Sequence, residues 1–309
     1  MIRLSSEQRQ GVVSTVAASF FLGWAPILGK LAYRQGVAPF TLAAFRTAVA
    51  ALLLWLAFVL FWRREVSISW RGLMGCIIVG AVNGFGSLFY YTSLARLDAS
   101  YAALLNTLYP VWVVLFLFAA GQPLTRLTLV RLALSMLGVY LLTRTGPGEL
   151  DWLGVTLMIA SAAAYGWHLV LGQWVLADVP SRTGALYGLT GMACVVVLAW
   201  VLQGPMQQTA MMPITAGGWS AILALGLTTV LSRLATFSAL RRVGGVETSL
   251  VGLLELLVSL VLAFLLLGER LTLVQWVGGG VLVVSMMLMA RDPGMRMAEG
   301  NEPLEWKRG

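Results

Sequence analysis

The chain is poor in the residue types from which metal centres, disulfide frameworks and hydrolytic sites are built. Its 309 residues include two cysteines and one histidine. Cys76 and Cys194 stand inside separate apolar runs, so a disulfide scaffold or a thiolate metal site has no material to work with, and both read as packing residues. A lone His168 excludes a histidine metal cluster and leaves a triad with one candidate base. Charge is scarce as well, since Asp, Glu, Lys and Arg make up only 11% of the chain, against about a quarter in a soluble domain. Hydrophobic residues fill the space, at 59% with a mean hydropathy of +0.84. Such a chain lives in a bilayer. Each crossing takes roughly 20 apolar residues, so ten crossings would use most of the length and leave no room for a large soluble domain. The excess of 21 Lys and Arg over 13 Asp and Glu punctuates the apolar runs and does not cluster, which reads as topology and not as a nucleic-acid surface.

Apolar runs bounded by charge, Gly or Pro predict helices near 11–33, 39–62, 71–95, 99–120 and 126–143. Five more are predicted near 150–175, 182–203, 217–240, 245–267 and 271–290. The first run is read as a retained helix and not a signal peptide, because Pro26, Lys30 and Arg34 follow it without a small-residue cleavage pattern. Counting Lys and Arg in alternate connections gives 13 on the side of both termini and 4 on the other. Both termini are therefore expected in the cytoplasm. The tail 291–309, mixed in charge, is expected to be disordered.

Self-similarity divides the chain into 1–145 and 146–290. Gly23-Trp24-Ala25-Pro26-Ile27-Leu28-Gly29-Lys30 is echoed by Gly166-Trp167-His168-Leu169-Val170-Leu171-Gly172-Gln173, and Gly121-Gln122-Pro123-Leu124-Thr125 by Gly268-Glu269-Arg270-Leu271-Thr272. Tyr91-Thr92-Ser93-Leu94-Ala95-Arg96-Leu97 likewise falls over Phe237-Ser238-Ala239-Leu240-Arg241-Arg242-Val243. The offsets are 143, 147 and 146. Because five helices form each unit, the second copy enters the bilayer inverted, the arrangement that supports alternating access around a midplane site. The expected fold is an all-α membrane protein of ten helices in two inverted repeats.

Polar groups in hydrocarbon are costly unless they face a bundle interior or water. Thr248, Gly252, Glu255 and Ser259 form one helical stripe; Gly226, Thr229, Arg233 and Thr236 form another. Their counterparts are Ala102, Asn106, Tyr109 and Val113, and Gly80, Asn83, Ser87 and Tyr90. Glu255, the one carboxylate near a span centre, suits a substrate ammonium, a coupling proton or a structural ion pair with Arg233. Arg233 suits a substrate carboxylate or a position snorkelling toward the cytoplasmic face. Arg46, Arg131 and Lys30, nearer helix ends, read as snorkelling. His168 reads as a hydrogen-bonded wall residue. Pro26 and Pro110 lie within spans and serve either as gating hinges or as fixed kinks. Tyr90, Tyr109, Trp112, Tyr165 and Trp167 lie away from the interfacial belt, where rings favour flat apolar ligands.

The Gly23-Trp24 element, the run Ala103-Leu104-Leu105-x-x-Leu108-Tyr109-Pro110-Val111, and Leu267-Gly268-Glu269-Arg270-Leu271-Thr272, in this order and spacing, resemble EamA-type members of the drug/metabolite transporter superfamily over residues 11–290. The resemblance implies a cavity surrounded by helices 1, 3, 4, 6, 8 and 9, with helices 5 and 10 at the periphery. It also implies export of amino acids and small metabolites across the inner membrane, and the aromatic content resembles that of the YddG-like aromatic amino-acid exporters. One departure is Glu255-Leu256, where the family often has Glu-Pro. The expected function is thus a carrier for aromatic and other bulky neutral amino acids, acting as a monomer without cofactor or metal, with Asn83, Tyr90, Asn106, Tyr109, Trp167, His168, Arg233 and Glu255 at its site. Alternatives are a broad exporter of aromatic cations or sugar-like metabolites, or a passive channel. Phosphorylated substrates are disfavoured because only Arg233 is expected at midplane depth. Intramembrane catalysis is disfavoured by the shortage of converging groups.

Overall fold

The computed structural model describes residues 6–121, 126–143, 151–207, 214–250 and 252–289. Every regular element among them is helical: α1 (Ser6–Gly23), α2 (Ala25–Arg34), α3 (Pro39–Phe61), α4 (Trp70–Arg96), α5 (Ala99–Asn106), α6 (Tyr109–Ala119), α7 (Arg126–Thr143), α8 (Trp152–Val175), α9 (Ser181–Gln207), α10 (Ala216–Leu250), α11 (Gly252–Leu262) and α12 (Leu273–Met289). A short 3-10 turn covers Arg63–Glu65, and a π-helical turn, Ala263–Leu267, follows α11. Seven stretches are long and apolar enough to cross a membrane, and Leu132–Leu141, Leu254–Leu267 and Leu273–Ser285 are shorter apolar helices. The expected tail 291–309, the turn 122–125 and the side chains of Arg131, Thr248 and Gly252 lie outside the described residues.

Two expected spans are broken by their prolines. Pro26 and Pro110 sit in the first turns of α2 and α6, where a missing N–H costs least. Each leaves the carbonyl four residues earlier, Leu22 or Asn106, without its ladder partner. The expected ninth span has no proline and continues unbroken past Leu256 into the π turn, which Gly268 ends at φ 72°. The expected boundary at 241–244 is corrected. That segment, Arg241-Arg242-Val243-Gly244, holds no proline, and α10 runs through it to Leu250.

Lipid is as apolar as leucine, so helices in a bilayer associate through close packing, which small residues permit. α4 packs on α8 and α9, and α10 on α1 and α3; α6 packs on α8, and α11 on α1. α7 pairs with α12, and α3 with α9. Adding five to one span number and subtracting five from the other turns the first three kinds of contact into one another in pairs and returns α7 with α12 and α3 with α9 to themselves. The Gly-Trp echo has the same explanation. A Cβ on Gly23 would meet the Glu255 carbonyl oxygen at 3.0 Å and the Val258 side chain; one on Gly166 would meet the Tyr109 carbonyl at 2.9 Å and Trp112 at 3.0 Å. Tyr109 and Glu255, like Trp112 and Val258, stand 146 residues apart. On α3 the face with Ala43, Ala50 and Leu54 is buried, whereas Leu52, Leu56 and Leu60 point outward to where lipid would lie.

Polar ties close one end of the bundle. Arg34 donates to the Leu267 carbonyl at 3.3 Å, Thr215 to Gln35 at 3.0 Å, and Arg96 pairs with Asp151 at 2.8 Å. Asp151 also caps α8 by accepting from the Gly154 N–H. That backbone bond, with the Arg96 guanidinium second, holds its carboxyl below the usual range. At the same end the Glu269 carboxylate accepts from the backbone N–H groups of Ala99 and Ser100, at 2.9 and 2.8 Å, and from the Ser100 hydroxyl. At the other end Arg182 pairs with Glu65 at 2.8 Å and lies over the Trp62 ring, while Arg242 donates to Gln10.

Candidate functional site

Between the two halves lies a cavity of about 80 Å³, lined among others by Leu22, Ala25, Arg46, Asn83, Ser87, Tyr90, Tyr91, Asn106, Ser161, Tyr165, Met192, Arg233 and Glu255. Ligand pockets for small molecules run to roughly 300–1,000 Å³, so a substrate requires this one to widen.

Five of the eight expected site residues line it: Asn83, Tyr90, Asn106, Arg233 and Glu255. Their register is that of the two expected stripes, with Asn83, Ser87 and Tyr90 on α4 and Arg233 on α10 facing inward together. Asn106 donates to Glu255 at 3.5 Å. The other three stand outside the lining. The His168 ring is fixed between two partners. Its Nδ1 meets the Val79 carbonyl at 3.1 Å, which only accepts, and its Nε2 meets an Arg233 nitrogen at 3.3 Å, which only donates. The ring is therefore singly protonated, on Nδ1, and orients Arg233. Tyr109 packs edge-on against Tyr165 with ring centroids 4.9 Å apart. Trp167 is corrected from wall to packing: its ring meets Phe116 edge-on at 4.6 Å and contributes nothing to the cavity lining.

Arg46 is a second correction. It does not snorkel; it is 94% buried, donates to Thr229 at 2.9 Å and to Ser87 at 2.6 Å, and lies 4.5 Å from the Tyr91 ring centre. Thr229 and Arg233 are one helical turn apart on α10, so two guanidinium groups converge on one small space. Arg233, 93% buried, lies over the Tyr165 ring at 5.8 Å. Among the described residues Arg233 and Glu255 form no ion pair, and the partnership expected from sequence is replaced by Arg233 with His168 and Glu255 with Asn106. Arg46 Nε, Arg233 Nε and Glu255 Oε2 are buried and unpaired.

Tyr91, Ser161, Tyr165 and Met192 also join the lining, so the second and seventh spans, absent from the helices expected around the cavity, contribute Arg46 and Met192. A sequence signal for Arg46 exists: Ala43, Thr47 and Ala50 share its helical face, a small-residue stripe opposite the leucines. The expected peripheral pair, α7 and α12, indeed lies outside the lining. Among the described residues no group of His, Cys, Asp and Glu is arranged to hold a metal ion.

Apolar helices closing around a charged interior define a polytopic membrane protein built on a central polar site. The model of the EamA-like transporter family matches residues 9–144 and again 152–291, and the chain belongs to this family. Members are transporters, so the protein moves a small molecule across a membrane. A protein of Bacillus subtilis (strain 168) described as the uncharacterized transporter YcbK is 23% identical over 284 residues, covering 89% of this chain and 88% of its own. One from Archaeoglobus fulgidus, described as an uncharacterized transporter, is 25% identical over 238 residues, 77% of this chain and 83% of its own. A solved crystal structure superposes with a TM-score of 0.66 over 94% of this chain and 99% of its own, at 18% identity, and shares the fold.

Proposed function

We propose that the protein is a carrier for a small carboxylate-bearing metabolite, working by alternating access around the Arg46, Arg233 and Glu255 cavity. The observation that carries this reading is that two arginines and one glutamate line a single cavity between the halves, with Arg46 Nε, Arg233 Nε and Glu255 Oε2 buried and without a hydrogen-bond partner. Guanidinium groups hold carboxylates through short, charge-assisted bonds, and Glu255 offers an acceptor for an ammonium or hydroxyl. The exchange-symmetric helix pairing supports two repeats, 1–145 and 146–290; five spans in each would make them inverted, and the excess of Lys and Arg on one side supports both termini in the cytoplasm of a cell bounded by this inner membrane. Asn83, Tyr90 and Asn106 complete the site. Tyr109, Trp167 and His168 hold its walls from behind, and Pro26 and Pro110 serve as hinges. The duplicated helix pairing around one small cavity suits a carrier better than a passive channel, because two equivalent halves can rock about a central site. One chain supplies both halves, so a monomer suffices.

A second reading, export of aromatic and other bulky neutral amino acids, draws on the rings of Tyr90, Tyr91 and Tyr165 in the lining. Counterflow into liposomes tests both, with labelled amino acids and unlabelled competitors that include phenylalanine, threonine, methyl viologen and a sugar phosphate. Saturable carboxylate flux lost in Arg233→Gln supports the carrier. Flux that fails to saturate and ignores that substitution refutes it in favour of a channel.

A further inference from the structure

Resting on the carrier reading, we infer that the cavity selects an acidic amino acid, with two carboxylates and one ammonium, over the corresponding neutral amide. Three charged side chains line the cavity, Arg46, Arg233 and Glu255, and His168 behind them is neutral by its bonding pattern. The lining therefore carries a net charge of +1 when Glu255 is ionised. A surplus charge in a dry interior is strongly unfavourable, and the occupant that cancels it is a net monoanion.

The unpaired atoms make the same selection group by group. Arg46 spends both terminal nitrogens on neutral hydroxyls, those of Thr229 and Ser87, and Arg233 bonds the His168 ring and the Tyr165 hydroxyl. Among the described residues neither guanidinium has a carboxylate partner, and each keeps its Nε free; Glu255 keeps Oε2 free. Two donor forks and one acceptor match two carboxylates and one ammonium. A neutral zwitterion satisfies one fork and Glu255 and leaves the second arginine charged and unmatched. A dicarboxylate lacking the amine satisfies both forks, leaves Glu255 unmatched and brings one negative charge too many.

The duplicated scaffold does not require these charges. At the offset of 146, Arg46 corresponds to Met192, Arg233 to Ser87 and Glu255 to Tyr109. The counterparts pack in the same places, Met192 Sδ accepting from Asn83 just as Thr229, the counterpart of Asn83, accepts from Arg46. Uncharged residues thus fill each position in the other copy, and the charges belong to what the cavity holds.

Counterflow tests this with isosteric pairs, glutamate against glutamine and aspartate against asparagine, with phenylalanine alongside, at pH 7 and fixed membrane potential. The expected result is acid over amide by at least about tenfold, the size of one charge-assisted bond pair. Arg46→Gln should bring the acid-to-amide ratio near parity, and Arg46→Lys, which keeps the charge, should preserve the preference. The ratio is read within one preparation, so loss of folded protein does not imitate the effect; if Arg46→Gln does not fold, the wild-type ratio and Arg46→Lys decide. Amide or phenylalanine flux equal to or above acid flux overturns the charge inference and leaves the carrier standing. Absence of flux for every carboxylate, in monodisperse protein of wild-type helical content, overturns both.

Discussion

Replacing Glu269 by alanine should destabilise the protein by about 2–4 kcal/mol, because this carboxylate caps a helix in another part of the chain. α5 begins after Asp98, whose side chain makes no capping bond, so its first N–H groups look elsewhere. They find Glu269, with Oε1 on the Ala99 N–H at 2.9 Å and Oε2 on the Ser100 N–H and hydroxyl at 2.8 Å each. Hydrogen bonds to a charged partner contribute about 1.5–3 kcal/mol, and a carboxylate at a helix N-terminus adds about 0.3–1 kcal/mol. The site is only partly buried, so water replaces most of the three bonds and the net loss is that of about one of them, which with the helix-end contribution comes to about 2–4 kcal/mol. Glu269→Gln keeps one carbonyl acceptor and should lose about half as much; Ser100→Ala removes only the hydroxyl and should cost about 1 kcal/mol. Unfolding by SDS titration in one fixed micelle composition reads all three, and a double-mutant cycle between Glu269→Gln and Ser100→Ala should show coupling. An alanine variant within about 0.5 kcal/mol of wild type, the scatter of ordinary surface substitutions, would refute the reasoning. So would a glutamine variant as damaging as alanine, which would leave charge, and not bonding, in control.

Gly80→Ala should cost about 1–3 kcal/mol by overpacking, since the added methyl meets the Gly188 carbonyl oxygen of α9; Gly280→Ala, with open space around it, should stay within about 0.5 kcal/mol of wild type, and the same titration compares them. Asp151 has its carboxyl held below the ordinary value by the Gly154 N–H and then Arg96, so its contribution is present above about pH 4 and disappears as pH falls through the lower folded value. Asp151→Asn should therefore be less stable than wild type at neutral pH and converge with it in acid; a gap independent of pH would contradict this. If Glu255 carries a coupling proton and not the substrate ammonium, Glu255→Gln should retain exchange but lose dependence on a pH gradient, as measured in liposomes with and without an imposed gradient; weakened exchange with unchanged pH dependence removes it as a coupling group and leaves it as a binding one.

The all-helical apolar architecture was legible because runs of this hydropathy are hard to read otherwise, and seven of them are long and apolar enough to cross a membrane; the proline breaks appeared where Pro26 and Pro110 foretold them. The echo of Gly23-Trp24 in Gly166-Trp167 was legible as a repeat, while its physical reason, two helices touching at bare backbone, needed coordinates. The segment near Arg241 shows the limit of punctuation: glycine and arginine permit a helix to end without forcing it. Arg46 was misplaced because distance from a helix end says nothing about direction. The small side chains of Ala43, Thr47 and Ala50 turn it inward. Trp167 and His168 were both assigned to the site, whereas α8 meets the cavity through Ser161 and Tyr165, with His168 held by Val79 and Arg233 and Trp167 packed on Phe116. Glu269 sat in a recognisable motif, but its partner lies 169 residues away in sequence, beyond any local pattern.

The proline joints also settle where the molecule yields. In a bilayer a broken backbone bond costs several kcal/mol, and bending an intact helix sharply breaks at least one. At Leu22 and Asn106 that bond is absent from the start, because Pro26 and Pro110 carry no N–H to offer. A bend there adds no such cost, whereas the same bend in the unbroken helices α4 or α8 does. Both freed carbonyls belong to residues of the cavity wall. Strain imposed on either end of the first or fourth span arrives first at the binding chamber.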